Sequence, residues 1–524
     1  MNDDRICTAN TRRPNPAGRY VLYWSQMFRR LHSNHALDHA LRLAARYQKP
    51  LVVYEGLKLN YPWASARHHT FILQGMRDSA AAARKLGLAY WPFVETPADP
   101  GRGLVARLAA DAVCVVTDDY PAYIVPAHNR ALAAKIDVPL YLVDGNSVVP
   151  LSRLGAPVAA AAHLRPRIHK LFAQAWEHRA NRVPDVPSVA ARELAAPFRV
   201  WDSTQDIGKF VASLPIDQRV PAVPGAEGGA VAGSAALDAF VAEKLGRYAT
   251  ERNEPNDPTV SAASALSAYL HYGHISIEQV AGAVLGESWT PKEINPKTRN
   301  KDDFFCRDPN VNSFLDEAIT WRDVGYHWHF CRNAELGTRT TELMNVSWEA
   351  RGAGGTPQFN FESMDFAPGG ERTLDVVLPD WARAALKKHA GDPRTHIYSL
   401  SEFEAAATHD PLWNAAQTEL VATGRVHNYL RMLWGKKVLV WSSSPAEAYR
   451  TLEHLNNKYA LDGRDPNSYT GIHWCFGLFD RPWPPERPVF GSVRYMSSEN
   501  TARKFDLDGY CDFVAGLGAG TARN

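Results

Sequence analysis

Residues 20–54 read YVLYWSQMFRRLHSNHALDHALRLAARYQKPLVVY and predict the fold of the first part of the chain. Two β-rich apolar runs flank a stretch with helical periodicity, and the same alternation recurs further along the chain. Strands that alternate with helices are typical of βαβ units in a parallel, doubly wound sheet. The predicted strands are Tyr20–Trp24, Leu51–Tyr54, Ala89–Phe93, Ala112–Val116 and Leu140–Val143, with helices at Ala36–Tyr47 and Thr70–Leu86.

The first strand is not followed by Gly-x-Gly-x-x-Gly. In Rossmann folds that fingerprint brings a dinucleotide pyrophosphate to a helix N-terminus. We therefore do not expect the sheet domain to bind NAD in the usual way.

The pattern changes after residue 150. The strand and helix patterns are weaker from there to the segment Val223–Ala236. This segment is mostly Gly, Ala and Val and predicts a flexible linker or surface loop. From Leu237 onward helical patterns dominate, although the Gly-rich stretch Arg351–Arg372 predicts another surface loop. We predict an α/β domain over residues 1–150, a connector over 151–236 and a large all-α domain over 237–524.

The composition is that of a globular protein, since 45% of the 524 residues are hydrophobic and 22% are charged. A net charge of +2 means that any DNA-binding surface must be a local basic patch. Six widely spaced cysteines, without a Cys-x-x-Cys pair, favour reduced thiols in a cytoplasmic protein over a zinc site or a disulfide framework. We expect no membrane association, because no apolar run is long enough to span a bilayer.

Four sequence motifs in the helical part are unusually specific: Ser264–Ser276 (SALSAYLHYGHIS), Thr408–Gln417 (THDPLWNAAQ), His427–Met432 (HNYLRM) and Leu461–Asn467 (LDGRDPN). In this order they resemble the photolyase–cryptochrome family, and specifically its class II cyclobutane pyrimidine dimer branch. Shorter matches extend the resemblance over most of the chain, at Val115–Asp118, Val143–Pro150, Leu164–Leu171, Arg494–Met496 and Arg503–Asp506.

The resemblance implies an α/β N-terminal domain followed by an all-α domain that binds FAD. It implies a deoxyribodipyrimidine photolyase, a carbon–carbon lyase that repairs ultraviolet-damaged DNA by light-driven electron transfer from reduced FAD to a flipped-out lesion. An antenna chromophore of the 8-hydroxy-5-deazaflavin type in the α/β domain is a further expectation, and so is a monomer.

Three tryptophans fall within one stretch of predicted helices. Trp434 and Trp441 are seven residues apart, which is two turns along one helical face. Core packing explains such a pattern on spacing alone. By resemblance, however, the three form an electron-transfer ladder, with Trp434 nearest the flavin, Trp413 next and Trp441 at the surface. Tyr398 matches an additional tyrosine donor.

The resemblance also assigns flavin-binding residues. Ser264, Leu266 and Ser267 would meet the FAD phosphates at a helix start, although an ordinary N-cap is the alternative for the serines. Asn456 matches the asparagine that faces flavin N5, where an amide can donate or accept a hydrogen bond. The other matching positions are Tyr248, Arg431, Asp462 and Asp465, and a turn cap is an alternative role for the two aspartates.

The lesion pocket would centre on Glu317, in the segment Ser313–Arg322. A protonated Glu317 carboxyl would donate a hydrogen bond to a thymine carbonyl as charge develops there. A solvated helix glutamate is the alternative for this residue. Trp321, four residues on and on the same helical face, would pack against the dimer. The remaining residues of this pocket are Trp474 against the dimer, Met432 as its floor, Arg494 in the duplex gap and Asp480 as support.

The sequence departs from the class II pattern beside this pocket. Ala-Ile-Thr-Trp-Arg-Asp-Val follows Glu317, and Arg332–Arg372 contains an insertion, so the lesion preference is open. His327 and His329 lack a carboxylate or Cys partner at ligand spacing, so we predict packing or exposure and no metal site. Candidate cations for gripping DNA phosphates are Arg431, Lys436, Lys437, Arg494, Arg503 and Lys504.

Three other functions remain open at this point. A cryptochrome-like photoreceptor would share the flavin and the ladder but lack repair, and Glu317, Trp474 and Arg494 argue against it. Repair of the (6-4) lesion relies on an active-site histidine, and the motifs are not of that branch. A degenerate flavoprotein that binds DNA without turnover would fit the altered neighbourhood of Glu317.

Overall fold

A computed structural model describes residues 3–186, 194–256, 258, 260–298, 301–332 and 369–521. The chain divides into two compact units. The first unit comprises Met1–Pro157, Leu164–Glu243 and Ala265–Phe359, and the second comprises Val158–His163, Lys244–Ser264 and Asn360–Asn524. The domain boundaries predicted at residues 150 and 236 stay a prediction.

The first unit contains a six-stranded sheet in the order β1-β6-β5-β2-β3-β4. Strands β2 to β6 pair in parallel, and β1 is an antiparallel edge strand on β6. All five predicted strands are confirmed, whereas β1 is too short for its pattern to be recognised. The strands are β1 Ile6–Thr8, β2 Tyr20–Ser25, β3 Leu51–Leu57, β4 Ala89–Val94, β5 Ala112–Asp118 and β6 Leu140–Val143.

The central strands are buried on both faces, which explains their unbroken apolar sequences. Leu22, Val52, Val115 and Leu140 are all fully or almost fully buried in one core cluster. Four helices connect the parallel strands: α1 His35–Tyr47, α2 Ala66–Leu86, α3 Leu104–Ala110 and α4 Val125–Ala133. The doubly wound sheet is therefore confirmed.

Helices form the named elements of the rest of the chain, as predicted. The first unit adds α6 Ile207–Ala212, α7 Ala230–Ala239, α9 Ser267–His271, α10 Ile277–Leu285 and α11 Pro309–Leu315. Helix α5 Ala161–Glu177 begins in the second unit and continues in the first, and α8 Tyr248–Glu251 belongs to the second. The second unit continues with α12 Gly369–Val377, α13 Asp380–Lys388, α14 Leu400–Glu404, α15 Pro411–Thr423, α16 Asn428–Trp441, α17 Pro445–Tyr459, α18 Pro466–Cys475, α19 Ser498–Lys504 and α20 Asp508–Thr521.

One predicted loop is partly helical. Helix α7 covers the second half of Val223–Ala236, so the loop prediction is wrong there. The absent side chain of Gly233 lets this helix approach closely, because a Cβ at that position would lie 2.9 Å from Ile275 Cγ2. Residues 351–368 of the other predicted loop lie outside the described residues. Within the described ranges, no helix is long and apolar enough to cross a membrane.

Candidate functional site

Helices α15 and α16 bring the three predicted ladder tryptophans together. The Trp413 Nε1–H donates to the backbone oxygen of Trp434 at 3.0 Å, and the Trp434 Nε1–H donates to Gln417 Oε1 at 2.9 Å. The ring centroids of Trp413 and Trp441 lie 5.9 Å apart at an interplanar angle of 75°. All three side chains are buried and hydrogen-bonded or packed, so their relative positions are well defined.

Asp410 organises this helix pair. Its carboxylate caps α15 by accepting from the Trp413 N–H at 3.0 Å, and it pairs with Lys437 Nζ of α16 at 3.1 Å. It also accepts from Ser498 Oγ at 2.5 Å. Burial alone would raise the pKa of Asp410, but the hydrogen bonds from Ser498 and Trp413 and the charge of Lys437 lower it below its ordinary value.

The predicted surface position of Trp441 is wrong. This residue is only 2% exposed, because Tyr398, His409 and Lys437 cover it. Tyr398 is half-buried and meets the Trp441 ring edge-on, with centroids 5.7 Å apart. Tyr398 therefore lies nearer the solvent than Trp441, and sequence spacing could not have shown which of the two rings is covered.

Three of the predicted flavin residues of the second unit have clear partners. Arg431 Nη2 lies 3.0 Å from Asp462 Oδ1 in a partly buried ion pair. The buried Asn456 amide donates to Ser468 Oγ at 2.5 Å, which fixes its orientation. Their common feature is a polar head held in place by a neighbouring side chain, as a precise binding site requires.

Two further predicted flavin residues of this unit have structural roles. Asp465 caps α18 by accepting from the Asn467 N–H at 2.8 Å, so the cap that we considered as an alternative is present. Tyr248 is the buried first residue of α8, with the Arg252 guanidinium 5.5 Å from its ring centroid. A contact of either residue with a flavin stays a prediction.

Helix α9 begins at Ser267 in the first unit, with Leu266 at its N-cap position, whereas Ser264 is the last residue of the preceding segment, which belongs to the second unit. No side chain caps this helix, so the N-cap alternative for the serines is not what the structure has. Ala265 has a positive φ of 57° and Leu266 follows in the right-handed helical region. Consecutive left- and right-handed residues turn their N–H groups to one side, which forms a concavity suited to an anion.

Glu317 and Trp321 lie on a π-helical segment, Asp316–Trp321. Both side chains are half-buried. The predicted face assumed α-helical spacing, whereas i→i+5 hydrogen bonding widens the turn, and such turns are frequent at functional sites. Arg165 holds this segment through two hydrogen bonds to the buried Asp316 carboxylate, at 2.7 and 2.9 Å. Sequence reasoning missed this anchor, although Arg165 belongs to the motif Leu164–Leu171.

The helical continuation 322–332 is tied to the motif Val143–Pro150. Arg322 Nη1 donates to the Asn146 carbonyl at 2.6 Å, and Ser147 Oγ donates to Asp323 Oδ1 at 2.5 Å. Burial raises the pKa of Asp323 to about 7, although Arg322 and Ser147 act in the opposite direction. This motif therefore positions the segment that contains Glu317.

The remaining predicted lesion residues lie in the second unit. Trp474 is half-buried near the end of α18, and Met432 is half-buried on α16. Asp480 Oδ1 accepts from the Arg481 N–H and from the Trp483 Nε1–H, both at 2.9 Å.

The exposed Arg494 guanidinium lies 4.9 Å from the centroid of Trp483, itself 37% exposed. Trp483 was not predicted, although its Arg-Pro-Trp-Pro-Pro context close to Arg494 was a usable signal. Stacked arginine and indole groups at a surface suit contact with exposed bases.

Two of the cations predicted to grip phosphates are buried, so this prediction is wrong for them. Lys436 is fully buried and donates to the Cys475 carbonyl at 2.7 Å, and burial lowers its pKa to about 8. Lys437 is 9% exposed and paired with Asp410. Helix periodicity could not show this, because the surfaces of both side chains are covered by other helices. Arg494, Arg503 and Lys504 are exposed.

The two histidines near residue 328 are packed in the interior. His327 is 1% exposed and its Nε2 lies 2.8 Å from the Gly155 carbonyl, while His329 is 5% exposed. A group of three or more potential metal ligands is absent from the described part of the chain.

A small pocket of the first unit opens at the carboxyl ends of the parallel strands. The chain order reverses between β2 and β5, where ligands of such sheets usually bind. There the Asp118 carboxylate accepts from three successive N–H groups, of residues 26, 27 and 28, at 2.7–2.9 Å. The pocket has free space of about 10 Å³, room for roughly one water molecule, and its lining includes Arg30, Tyr120, His271 and Tyr326.

Comparison with known proteins places these features in context. The chain is 32% identical over 522 residues to the deoxyribodipyrimidine photo-lyase of Methanothermobacter thermautotrophicus, covering 99% of each chain. It is 33% identical over 511 residues to the protein of the same name from Oryza sativa, covering 95% of this chain and 88% of that one. No protein-family model matches the chain.

Solved structures share the fold. A class III photolyase from Agrobacterium tumefaciens superposes with a TM-score of 0.57 at 18% identity, over 94% of this chain and 86% of that one. A cryptochrome from Synechocystis sp. PCC6803 gives a TM-score of 0.57 at 16% identity, over 94% and 87%. At these identities the likeness supports the fold and not the activity.

Proposed function

The chain belongs to the deoxyribodipyrimidine photolyase family, and we propose that it repairs cyclobutane pyrimidine dimers in DNA by light-driven electron transfer. The observation that carries this proposal is the buried set Trp413, Trp434 and Trp441, in which Trp413 contacts both of the other tryptophans. The motifs favour the class II branch, and no observation favours the photoreceptor alternative.

Reduced FAD, when bound, supplies the excited electron that the dimer accepts and later returns. The residues present fit such a group. The concavity at Ala265–Ser267 presents backbone N–H groups to an anion, as a pyrophosphate needs. Asn456 offers a buried amide of fixed orientation, and Arg431 and Asp462 offer a charged pair for hydroxyl and phosphate groups.

The three tryptophans would carry electrons inward to the flavin site from the outer end of the ladder. Indole rings are oxidisable, and burial keeps them from water and from irreversible side reactions. The hydrogen bond from Trp434 Nε1 to Gln417 and that from Trp413 Nε1 to the Trp434 carbonyl stabilise a transient positive charge on each ring. An electron would thus move inward along Trp441, Trp413 and Trp434.

Glu317 would act on the lesion itself. Its carboxyl, protonated in a site closed to water, would donate a hydrogen bond to a thymine carbonyl. Arg165 would act through Asp316, by holding the π-helical segment that presents Glu317 and Trp321. The half-buried Trp474 and Met432 offer apolar surface for the flipped-out dimer. Arg494 and Trp483 would stack in the gap that flipping leaves.

An antenna chromophore of the 8-hydroxy-5-deazaflavin type in the α/β domain stays our proposal, and it rests on the family resemblance alone. The small pocket at the β2 and β5 strand ends has free space of only about 10 Å³, room for roughly one water molecule, so it does not support the proposal. A monomer in the cytoplasm stays our expectation.

The test is photoreactivation of an oligonucleotide that carries one thymine cyclobutane dimer. We expect dimer loss only in blue light, with a several-fold lower quantum yield for Glu317→Ala. Glu287→Ala is the matched control, because that side chain is 94% exposed. Protein that binds FAD but leaves the dimer intact in light would refute repair, and an unchanged yield in Glu317→Ala would refute the role of Glu317.

A further inference from the structure

Tyr398 sits where the tryptophan ladder meets solvent. Its backbone N–H donates to the Trp441 carbonyl at 3.0 Å, and its ring meets the Trp441 ring edge-on at 5.7 Å. Because Trp441 is buried, this half-buried tyrosine is the next oxidisable ring outward. A phenol is an efficient donor only if its hydroxyl proton has somewhere to go, since the oxidised phenol is a strong acid.

Among the described residues, the Tyr398 hydroxyl has two hydrogen-bond contacts, both with His409. Its oxygen accepts from the His409 backbone N–H at 3.0 Å and lies 2.6 Å from His409 Nδ1. A separation of 2.6 Å is typical of an O–H donor and shorter than usual N–H···O hydrogen bonds. The hydroxyl therefore donates to Nδ1, and the proton of a neutral His409 is on Nε2.

We propose that His409 is the proton acceptor for Tyr398, which makes this tyrosine the terminal, proton-coupled electron donor of the ladder. The assignment rests on the proposed electron transfer through the tryptophans. When the Trp441 radical cation forms, Tyr398 gives one electron to it and the hydroxyl proton to His409 Nδ1. The products are neutral Trp441, a neutral tyrosyl radical and a histidinium ion, so charge and atoms balance.

The surroundings keep His409 ready to accept. His396 stacks on it with ring centroids 3.8 Å apart, and Lys437, Asp410 and Glu499 also act on it. Partial burial, followed by the positive charge of His396 when protonated, lowers the pKa of His409 below its ordinary value of 6.5, while Asp410 and Glu499 act in the opposite direction. At neutral pH the ring is therefore uncharged.

The geometry also separates charge. The tyrosyl oxygen keeps the hydrogen bond from the His409 N–H after its proton has moved. Return of the electron would require return of the proton, which slows recombination and preserves the reduced flavin site. The second function of the pair is thus to make the inward electron transfer difficult to reverse.

The experiment is flash excitation of the FAD-loaded protein, with the tryptophan radical cation and the tyrosyl radical followed by transient absorption. The test variant is His409→Gln, whose side-chain oxygen can accept a hydrogen bond but not a proton. We expect oxidation of Tyr398 to slow by roughly 100-fold, the lower end of what a positioned base contributes. Tyr398→Phe identifies the tyrosyl signal.

His396→Gln is the matched control, since it removes a neighbouring imidazole and leaves the Tyr398–His409 hydrogen bond. It should keep the wild-type rate at neutral pH. In the wild type the rate should be constant above pH 7 and fall below 6.5, the ordinary pKa of histidine, as His409 becomes protonated. In His396→Gln this decline should move to higher pH.

The outcomes distinguish a failure of the proposed tryptophan ladder from a failure of the assignment of His409. Wild-type protein that forms no tryptophan radical overturns the proposed ladder and this assignment with it. If the tryptophan radical forms and Tyr398 is oxidised equally fast in the wild type and in His409→Gln, water is the acceptor and the assignment alone fails. Loss of the tyrosyl signal in His396→Gln at neutral pH would also contradict it.

Discussion

The helix pair α15–α16 and the segment 316–332 both contain residues of the proposed site, yet their backbones are held differently. In the pair, Asp410 caps the helix that begins one residue later, and regular α-helix follows. In the segment, a π-helical turn depends on Arg165, which lies 151 residues away in sequence. Local sequence therefore specifies the first region, and long-range contacts specify the second.

The two regions also differ in how buried carboxylates are compensated. Asp410 receives a cation and two hydrogen bonds and has a lowered pKa, whereas burial raises the pKa of Asp323 to about 7. Stability should thus respond to pH in opposite directions in the two regions. Variants of Asp323 and Asp410 test these opposite responses to pH, and variants of basic residues compare buried with exposed charges.

The largest effect should follow from Arg165→Met. The substitution leaves the Asp316 carboxylate, whose side chain is 3% exposed, buried without its cation. Breaking a buried pair from one side costs about 3–5 kcal/mol. Chemical denaturation should show a decrease of that size in the free energy of unfolding. Arg182→Ala removes a pair that is 87% and 94% exposed and should cost under about 1 kcal/mol. Equal losses of unfolding free energy in Arg165→Met and Arg182→Ala would show that the buried Arg165–Asp316 pair contributes no more than an exposed one.

Asp323→Asn should change stability in a pH-dependent way. A carboxyl with a raised pKa in the folded state stabilises the protein at low pH, and that contribution is lost as pH rises from 3.8 towards about 7. The variant should therefore gain stability relative to the wild type between pH 5 and pH 8, by roughly 2–3 kcal/mol. Thermal unfolding at the two pH values measures it. A difference between the two proteins that does not vary with pH would show that Asp323 keeps an ordinary pKa.

Asp410 should respond in the opposite direction. A lowered pKa in the folded state stabilises the protein above the unfolded value of 3.8, and this contribution is lost as pH falls below it. At neutral pH Asp410→Ala should cost about 1–2 kcal/mol more than Asp410→Asn, because only the alanine variant loses the cap of α15 as well as the pairing with Lys437. Asp410→Asn keeps a capping oxygen and should lose mainly the pairing with Lys437. If both variants unfold alike, the cap contributes nothing measurable.

The smallest expected effect is on the salt dependence of DNA binding when an exposed or a buried cation is removed. Arg503→Ala should reduce the slope of log affinity for damaged DNA against log salt by about 1, because the exposed Arg503 is one of the cations predicted to contact a phosphate. Lys437→Met should leave the slope unchanged, because Lys437 is buried against Asp410. Binding titrations at several salt concentrations distinguish the two. A change in slope for Lys437→Met would place that residue at the DNA surface.

Sequence reasoning succeeded where a pattern is repeated locally. The five parallel strands followed from apolar runs between helices, and the helices of the second half followed from periodicity. It failed where neighbours distant in sequence decide exposure. Trp441, Lys436 and Lys437 looked like surface positions on one helix, but other elements of the second unit cover them. Their helix α16 is buried on most sides, so its own periodicity shows no solvent face.

By itself, the sequence determined the doubly wound sheet, the helical second half and the family, because strand, helix and motif signals are local in the chain. The tertiary structure alone decided that Trp441 is buried under Tyr398, that the Tyr398 hydroxyl lies 2.6 Å from His409 Nδ1, and that Arg165 anchors the π-helical segment. These facts depend on which distant side chains meet. The energy of a hydrogen bond or an ion pair depends on the burial and partners that folding provides.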